Sequence, residues 1–257
     1  GYLFLGGVIP GILLGVVQSG LIAFTAKRRN FPVEERVPLR ALPGITWRAV
    51  PALLMPVILL GCLYGGITTP TEAAAVAAAY ALLISAVLYR SVRMKDVYSS
   101  LATGARITVS IGMLIAGALV FNFVITSENI PKSLSAMLKA YELSPLVFLL
   151  VVNVLLLILG CFLEGTTIIL VILPVLLPTA QALGIDLVYF GVVVIINFMV
   201  AIISPPYGLI LFVLSSLTRV PMREINREIW PFMIPLGLAL LLLIAFPSIT
   251  LFLPRVF

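Results

Sequence analysis

Gly160-Cys161-Phe162-Leu163-Glu164-Gly165-Thr166-Thr167 and Ser204-Pro205-Pro206-Tyr207-Gly208 are two polar interruptions in otherwise apolar sequence, and their reading decides the fold. Ser144 to Leu163 is apolar enough to bury, Glu164 to Thr167 has the composition of a turn, and Ile168 to Ala180 is apolar again with Pro174 and Pro178 inside it. This is the pattern of an apolar helical hairpin over residues 144–180. Val188 to Leu217 is a second long apolar segment, cut by Pro205 and Pro206, neither of which has an N–H to continue a helical ladder. It reads as a discontinuous transmembrane helix over residues 188–217. Hydrocarbon tolerates non-helical backbone only where protein buries it or a polar cavity meets it. Two such breaks close in sequence point to one shared site.

Composition sets the class. The chain is 62% hydrophobic and 10% charged, with a mean hydropathy of +1.23, far from the range of soluble domains. It reads as an all-α polytopic membrane protein embedded in a lipid bilayer. The net charge of +6 comes from short basic clusters between apolar runs, a pattern that orients a protein in a membrane and makes no face for nucleic acid. Cys62 and Cys161 both lie in apolar spans and there is no histidine. Neither a disulfide framework nor a transition-metal site is expected.

Taken in order, Leu3 to Phe24 is a first span ending at the cytoplasmic cluster Lys27-Arg28-Arg29. Residues 27–48 read as a cytoplasmic connector with a helix lying at the interface. Ala49 to Gly65 crosses outward, and Thr69-Pro70-Thr71-Glu72 has the spacing of a capping box, so Glu72 is read as a structural cap ahead of an ion role. The alanine-rich helix from Ala73 to Tyr89 crosses back to Arg90, Arg93 and Lys95. Asp96 to Arg106 reads as an amphipathic surface segment, Ile107 to Thr126 as an outward crossing, and Ser127 to Glu142 as external, with Glu128, Lys132, Lys139 and Glu142. Ile229 to Leu253 reads as one final crossing that leaves Arg255 outside.

Of the 16 basic residues, only Lys132, Lys139 and Arg255 fall outside in this topology. If residues 144–180 made a single crossing, Arg219, Arg223 and Arg227 would become external, against the positive-inside bias. The segment therefore returns to the side it entered. Its turn carries Glu164 and no Lys or Arg, which favours a re-entrant hairpin entering from outside, although each arm is long enough to leave a double crossing open.

Glu164 is the only acid between Ser144 and Leu183, and a charge there is costly unless it faces a cavity or a cation. Thr166 and Thr167 offer hydroxyls, and Gly160 and Gly165 allow close approach to backbone carbonyls. Across the second break, Asn197 and Ser204 supply neutral oxygens, while Pro205 and Pro206, followed by Tyr207 and Gly208, free carbonyls. Neutral oxygen ligands suit a hard monovalent ion such as Na+. A proline kink and a capped turn used only for packing is the competing reading of the breaks.

At these residues the chain resembles the large membrane subunit, DctM type, of tripartite ATP-independent periplasmic (TRAP) transporters. The matching motifs are Gly66-Ile67-Thr68-Thr69-Pro70-Thr71-Glu72-Ala73-Ala74, Gly160-Cys161-Phe162-Leu163-Glu164 with Pro174 and Pro178, Gly184-Ile185-Asp186 before Tyr189-Phe190-Gly191, and Asn197 leading to Ser204-Pro205-Pro206-Tyr207-Gly208. The resemblance implies an elevator architecture of the ion-transporter superfamily with about six transmembrane helices, the hairpin and the discontinuous helix. It implies scaffold in residues 1–104 and 219–257, a moving transport domain in residues 105–218, and location in the bacterial inner membrane. It further implies one Na+ site from Gly160, Ala201, Ser204 and Tyr207, largely through backbone oxygens, with Glu164, Thr166, Thr167, Asn197, Pro205, Pro206 and Gly208 as candidate lining.

The implied function is Na+-coupled import of a carboxylate, such as sialic acid or a C4-dicarboxylate. The implied partners are a periplasmic substrate-binding protein and a small four-helix membrane subunit. The chain departs from the family with Ala201 in place of Gly, Ser204 in place of Thr and Tyr189 in place of His. It carries only the second of the family's two inverted repeats, and it opens inside an apolar run without methionine. A longer large subunit, whose N-terminal half holds the first repeat and a second Na+ site, is the expectation. The competing functions are a divalent-anion/Na+ symporter that needs no binding protein and a structural membrane subunit without its own ion site. An intramembrane enzyme is disfavoured, because the chain has no GxSxG, HExxH or paired membrane aspartates.

Overall fold

A computed structural model describes residues 2–30, 38–66, 68–130, 133, 136 and 144–256. Lys132, Lys139 and Glu142, expected outside the membrane, lie beyond the described residues. Every long element is a helix: α1 (Tyr2–Arg29), α2 (Leu42–Tyr64), α3 (Pro70–Leu88), α4 (Met94–Ser127), α5 (Pro145–Gly160), α6 (Gly165–Ala182), α7 (Leu187–Ala201), α8 (Leu209–Thr218), α9 (Met222–Ala245) and α10 (Pro247–Val256). Among them α1, α3, α4, α6 and α9 are long and apolar enough to cross a membrane, and the apolar parts of the others are shorter. The chain divides into two compact units, Phe31–Val109 and a larger one that joins Tyr2–Asn30 with Ser110–Phe257.

In the smaller unit α2 packs on α3. Of the connector expected to carry an interface helix, residues 31–37 lie outside the described residues; from Pro38 a short turn, Leu39–Ala41, leads into α2, which continues through Pro51 and Pro56. The Tyr80 hydroxyl donates to the Pro51 carbonyl at 2.8 Å. At the start of α3 the capping box is present: the Glu72 N–H donates to Thr69 Oγ1 at 3.4 Å, and Glu72 Oε2 accepts from Thr69 N at 2.7 Å and from its hydroxyl at 2.8 Å. Glu72 is a cap, as its spacing predicts.

Two expected boundaries differ. Asp96–Arg106 and the crossing after it form the single helix α4, since neither Gly104 nor the charged residues break the ladder. The expected last crossing is two helices, α9 and α10, divided at Phe246 (φ −125°, ψ 78°). Pro247 has no N–H for the Leu243 carbonyl four residues back. The buried Tyr189 hydroxyl supplies the donor, at 3.2 Å to Leu243 O and 3.0 Å to Ile244 O.

The larger unit is built around α7. Ten of its 15 residues are buried, which is the pattern of a helix enclosed on all sides. Phe148, Leu149, Val152 and Leu156 of α5, Leu176 and Ala180 of α6, Leu240, Leu243 and Ile244 of α9 and Leu251 of α10 share its core. α1 crosses α7 closely: a Cβ at Gly191 would stand 2.9 Å from Leu3, and one at Gly6 would stand 3.1 Å from Val192. Small residues allow this approach where no water drives helices together. Arg29 pairs with Glu228 and Gln18 Nε2 donates to Phe232 O at 3.2 Å. The basic ends Lys27–Arg29 and Arg223–Arg227 therefore share one end of the unit.

The cap on α3 makes a clear prediction. Thr69→Ala should cost about 1 kcal/mol, read as a lower melting temperature in detergent. Glu72→Gln should cost less, because its amide oxygen still accepts from Thr69.

Candidate functional site

Helices α5 and α7 begin alike. Ser144 Oγ caps α5 by accepting from Val147 N at 3.4 Å, and Asp186 Oδ1 caps α7 by accepting from Val188 N and Tyr189 N at 2.8 and 3.1 Å. The helices then run side by side in the same direction. Near their starts the rings of Phe148 and Phe190 stack with centroids 6.2 Å apart. Midway, Asn197 Nδ2 donates to both Asn153 O (2.9 Å) and Asn153 Oδ1 (2.7 Å). At their far ends a Cβ on Gly160 would lie 2.5 Å from Ala201 Cβ. Only glycine fits there, and the two breaks expected from sequence meet.

The first break is a tight end to α5. Cys161 N, Phe162 N and Leu163 N donate back to Ile158 and Leu159 carbonyls at 2.8 to 3.3 Å. Glu164 is extended (φ −71°, ψ 148°) and the chain re-enters a helix at Gly165. A Cβ on Gly165 would stand 2.3 Å from the Phe198 ring, so this glycine too is fixed by α7. The Glu164 side chain is exposed and, among the described residues, makes no hydrogen bond; Thr166 and Thr167 are half-buried in the first turn of α6.

The second break follows from its prolines. Pro205 and Pro206 cannot donate to Ala201 O and Ile202 O, their partners in a continued helix. Those carbonyls are met differently, Ala201 O by Ser204 N at 2.9 Å and Ile202 O by Ile210 N at 3.4 Å. Gly208 has φ +39°, and a Cβ there would press within 2.9 Å of Ser204 O. The Pro206 carbonyl accepts from Asn226 Nδ2 of α9 at 3.2 Å. Across the two breaks the Cys161 thiol lies 3.8 Å from Ser204 O, and the Phe162 and Tyr207 rings stand 5.0 Å apart.

The structure therefore brings Gly160, Ala201, Ser204 and Tyr207 to one place, with Pro205, Pro206 and Gly208 shaping its wall. Among the described residues, no backbone hydrogen bond beyond those inside the helices ends on the carbonyls of Gly160 or Tyr207, and the Ala201 carbonyl has a second lone pair beyond its bond from Ser204 N. Asn197 stands apart from this surface: it is 0% exposed and one turn short of the break, with its amide committed to Asn153.

Sequence reading missed Asn153, Asn226 and Asn122. The Asn122 case has a legible cause. Pro174 leaves the Leu170 carbonyl without its helical donor, and Asn122 Nδ2 supplies one at 3.2 Å. For Asn122 and Asn153 the signal was a lone amide in apolar helix, where a polar side chain needs a reason; Asn226 stands in the charged run Arg223–Glu228 and gave no such signal.

Five apolar helices of membrane-spanning length define a multi-pass membrane protein. Residues 1–249 match the family described as "Tripartite ATP-independent periplasmic transporter, DctM component". The chain belongs to that family. It is 39% identical to the C4-dicarboxylate TRAP transporter large permease protein DctM of Pseudomonas aeruginosa, over 99% of this chain and 60% of the relative. It is 36% identical to the sialic acid TRAP transporter large permease protein SiaM of Vibrio cholerae, over 100% and 60%. It is 34% identical to the isethionate TRAP transporter permease protein DctMQ of Oleidesulfovibrio alaskensis, over 98% and 40%. The chain thus spans about 60% or less of these curated relatives' length.

Gly160→Ala should force the breaks apart at a cost of about 1–3 kcal/mol, the usual range for overpacking. Gly237→Ala, with nothing within 4 Å of the added carbon, should change the melting temperature little. Comparing the two melts checks the apposition.

Proposed function

We propose that this chain forms part of the large permease subunit of a Na+-coupled secondary transporter that imports an organic anion. The substrate class follows from the relatives, whose names specify C4-dicarboxylate, sialic acid and isethionate, all of them organic anions. "Tripartite" and "periplasmic" in the family description support delivery by a soluble periplasmic protein. The name DctMQ supports a second membrane component, joined in that relative to the large one. Residues outside this chain, corresponding to the remaining length of those relatives, would complete the transport path.

The observation that carries the reading is the meeting of Gly160 and Ala201. Beside it lie Ser204, whose carbonyl is 3.8 Å from the Cys161 thiol, and Tyr207, whose ring stands 5.0 Å from that of Phe162; the carbonyls of Gly160, Ala201 and Tyr207 and the Ser204 hydroxyl are the oxygens these residues would offer. This is a neutral oxygen donor set of the kind that unwound transporter helices offer to coupling cations, and Na+ is the hard monovalent ion it fits.

Length supports placing the site in the membrane. At 1.5 Å per residue, α5 and α7 rise only about 22–24 Å, short of a hydrocarbon core of about 30 Å. Starting together at polar caps on one face, they end inside the bilayer, and residues 144–180 form a re-entrant hairpin. Substrate would lie at the tips of the breaks, next to the cation. Movement of the body that carries the two breaks against the rest of the permease would then carry both from one face to the other, which is an elevator.

Ser204→Ala deletes one oxygen and adds no bulk. It should raise the Na+ concentration for half-maximal uptake in proteoliposomes by about fivefold to tenfold, with abundance unchanged. Uptake that is the same with and without Na+ would remove the coupling claim, and uptake that needs no soluble partner would favour a symporter working alone. Glu164→Gln should leave abundance unchanged, since its carboxylate holds no bond among the described residues. Any change in uptake, measured in the same vesicles, then reports its charge at the tip.

A further inference from the structure

We propose that Asn153 and Asn197 form a buried register clamp that sets the Gly160–Ala201 apposition, making them positioning residues for the cation site; this rests on the Na+ reading above. The clamp joins α5 and α7 at the middle of three contacts. The outer two, the Phe148–Phe190 ring pair and the Gly160–Ala201 approach, are apolar and hold the helices by shape alone. The amide pair holds them by directed bonds. Asn197 Nδ2 holds both oxygens of one residue, Asn153 O at 2.9 Å and Asn153 Oδ1 at 2.7 Å, and Asn153 Nδ2 in turn donates to Leu149 O at 2.7 Å.

A slide of α5 by even one residue, about 1.5 Å, would break both bonds to Asn197. Asn197 Nδ2 and Asn153 Oδ1 would then lose their partners in residues that are 0% and 5% exposed, a cost of about 1–3 kcal/mol for each orphaned group, while the Asn153 Nδ2 bond to Leu149 O moves with α5.

The geometry aims this restraint at the site. Asn197 precedes Ala201 by four residues, one turn, and Asn153 precedes Gly160 by seven, two turns, so each amide lies on the helix face that meets the other helix at the break. The orientation of Asn197 is determined as well. Its Oδ1 is buried with no partner among the described residues, so the Nδ2 bonds alone hold the group. Rotating the amide would set its oxygen against two other oxygens. Two asparagines buried in apolar helices, one of them with an unmet oxygen, are a poor choice for packing alone, which leucine would do without the penalty.

The test uses the intact permease with Cys62→Ala, so that Cys161 is the one cysteine of this chain, and with Ser204→Cys as a second thiol. Cys161 Sγ is 3.8 Å from Ser204 O, so oxidation or a short bifunctional thiol reagent reports the apposition directly. Asn153→Leu/Asn197→Leu removes both amides together, which avoids orphaning one by the loss of the other.

This double variant should keep its abundance but lose cross-linking several-fold. Measured with the native Ser204, its half-saturating Na+ should rise about fivefold. Asn153→Asp, whose protonated carboxyl keeps the acceptor for Asn197 and a donor for Leu149 O, should restore both readouts. Unchanged cross-linking in the double variant overturns the clamp, as does cross-linking in Asn153→Asp as low as in the double variant. Cross-linking that falls while Na+ dependence stays fixed upholds the clamp and counts against the Na+ reading alone. If the double variant fails to accumulate, Asn197→Leu carries the same comparison.

Discussion

A carbonyl deprived of its helical donor in a medium without water has to find another, and the prolines of this chain create that demand repeatedly. Pro174 strands Leu170 O, which Asn122 meets. Pro247 strands Leu243 O, which the Tyr189 hydroxyl meets. Pro205 and Pro206 strand Ala201 O and Ile202 O, which are met by Ser204 N and Ile210 N in a turn that only Gly208 can close. All of these repairs but the local one, Ser204 N to Ala201 O, draw a second segment toward the break. The helices of the larger unit are thus tied to one another at the points where they are discontinuous.

The breaks differ in what is left over. At Pro174 and Pro247 a side chain from another helix satisfies the freed carbonyl. Where α5 and α7 end together, backbone oxygens remain with lone pairs to spare, and glycine at 160 and 165 lets Ala201 and the Phe198 ring of α7 come directly against the first break. A break that is repaired serves packing. On the proposed reading, a pair of breaks that face each other is where a cation would sit, and the same apolar surroundings that make an unpaired carbonyl costly would strengthen its attraction to charge.

The helical class, the two breaks and the α3 cap were legible because each rests on local chemistry: an apolar run, a proline without an N–H, a threonine three residues ahead of a glutamate. That the breaks meet was an inference from the cost of isolated breaks in lipid, and the Gly160–Ala201 approach shows the physical reason, two parallel helices of nearly equal length starting at matched caps. Long-range pairings were not legible. Asn153 with Asn197, Asn226 with Pro206 and Tyr189 with the end of α9 join residues 20 to 55 positions apart, and no spacing rule connects them. The merged helix α4 and the division between α9 and α10 also ran against expectation. Charge was weighted too heavily as a helix boundary in the first case, and Pro247 too lightly in the second.

Hydrogen exchange on the purified permease in Na+ and in K+ at equal ionic strength tests most directly whether the paired breaks hold sodium. Amides of residues 160–165 and 201–210 should be protected together in Na+, with no comparable change in K+ or in α2 and α3. Equal exchange in the two salts at both segments, or protection of one segment without the other, would contradict a single cation held between them.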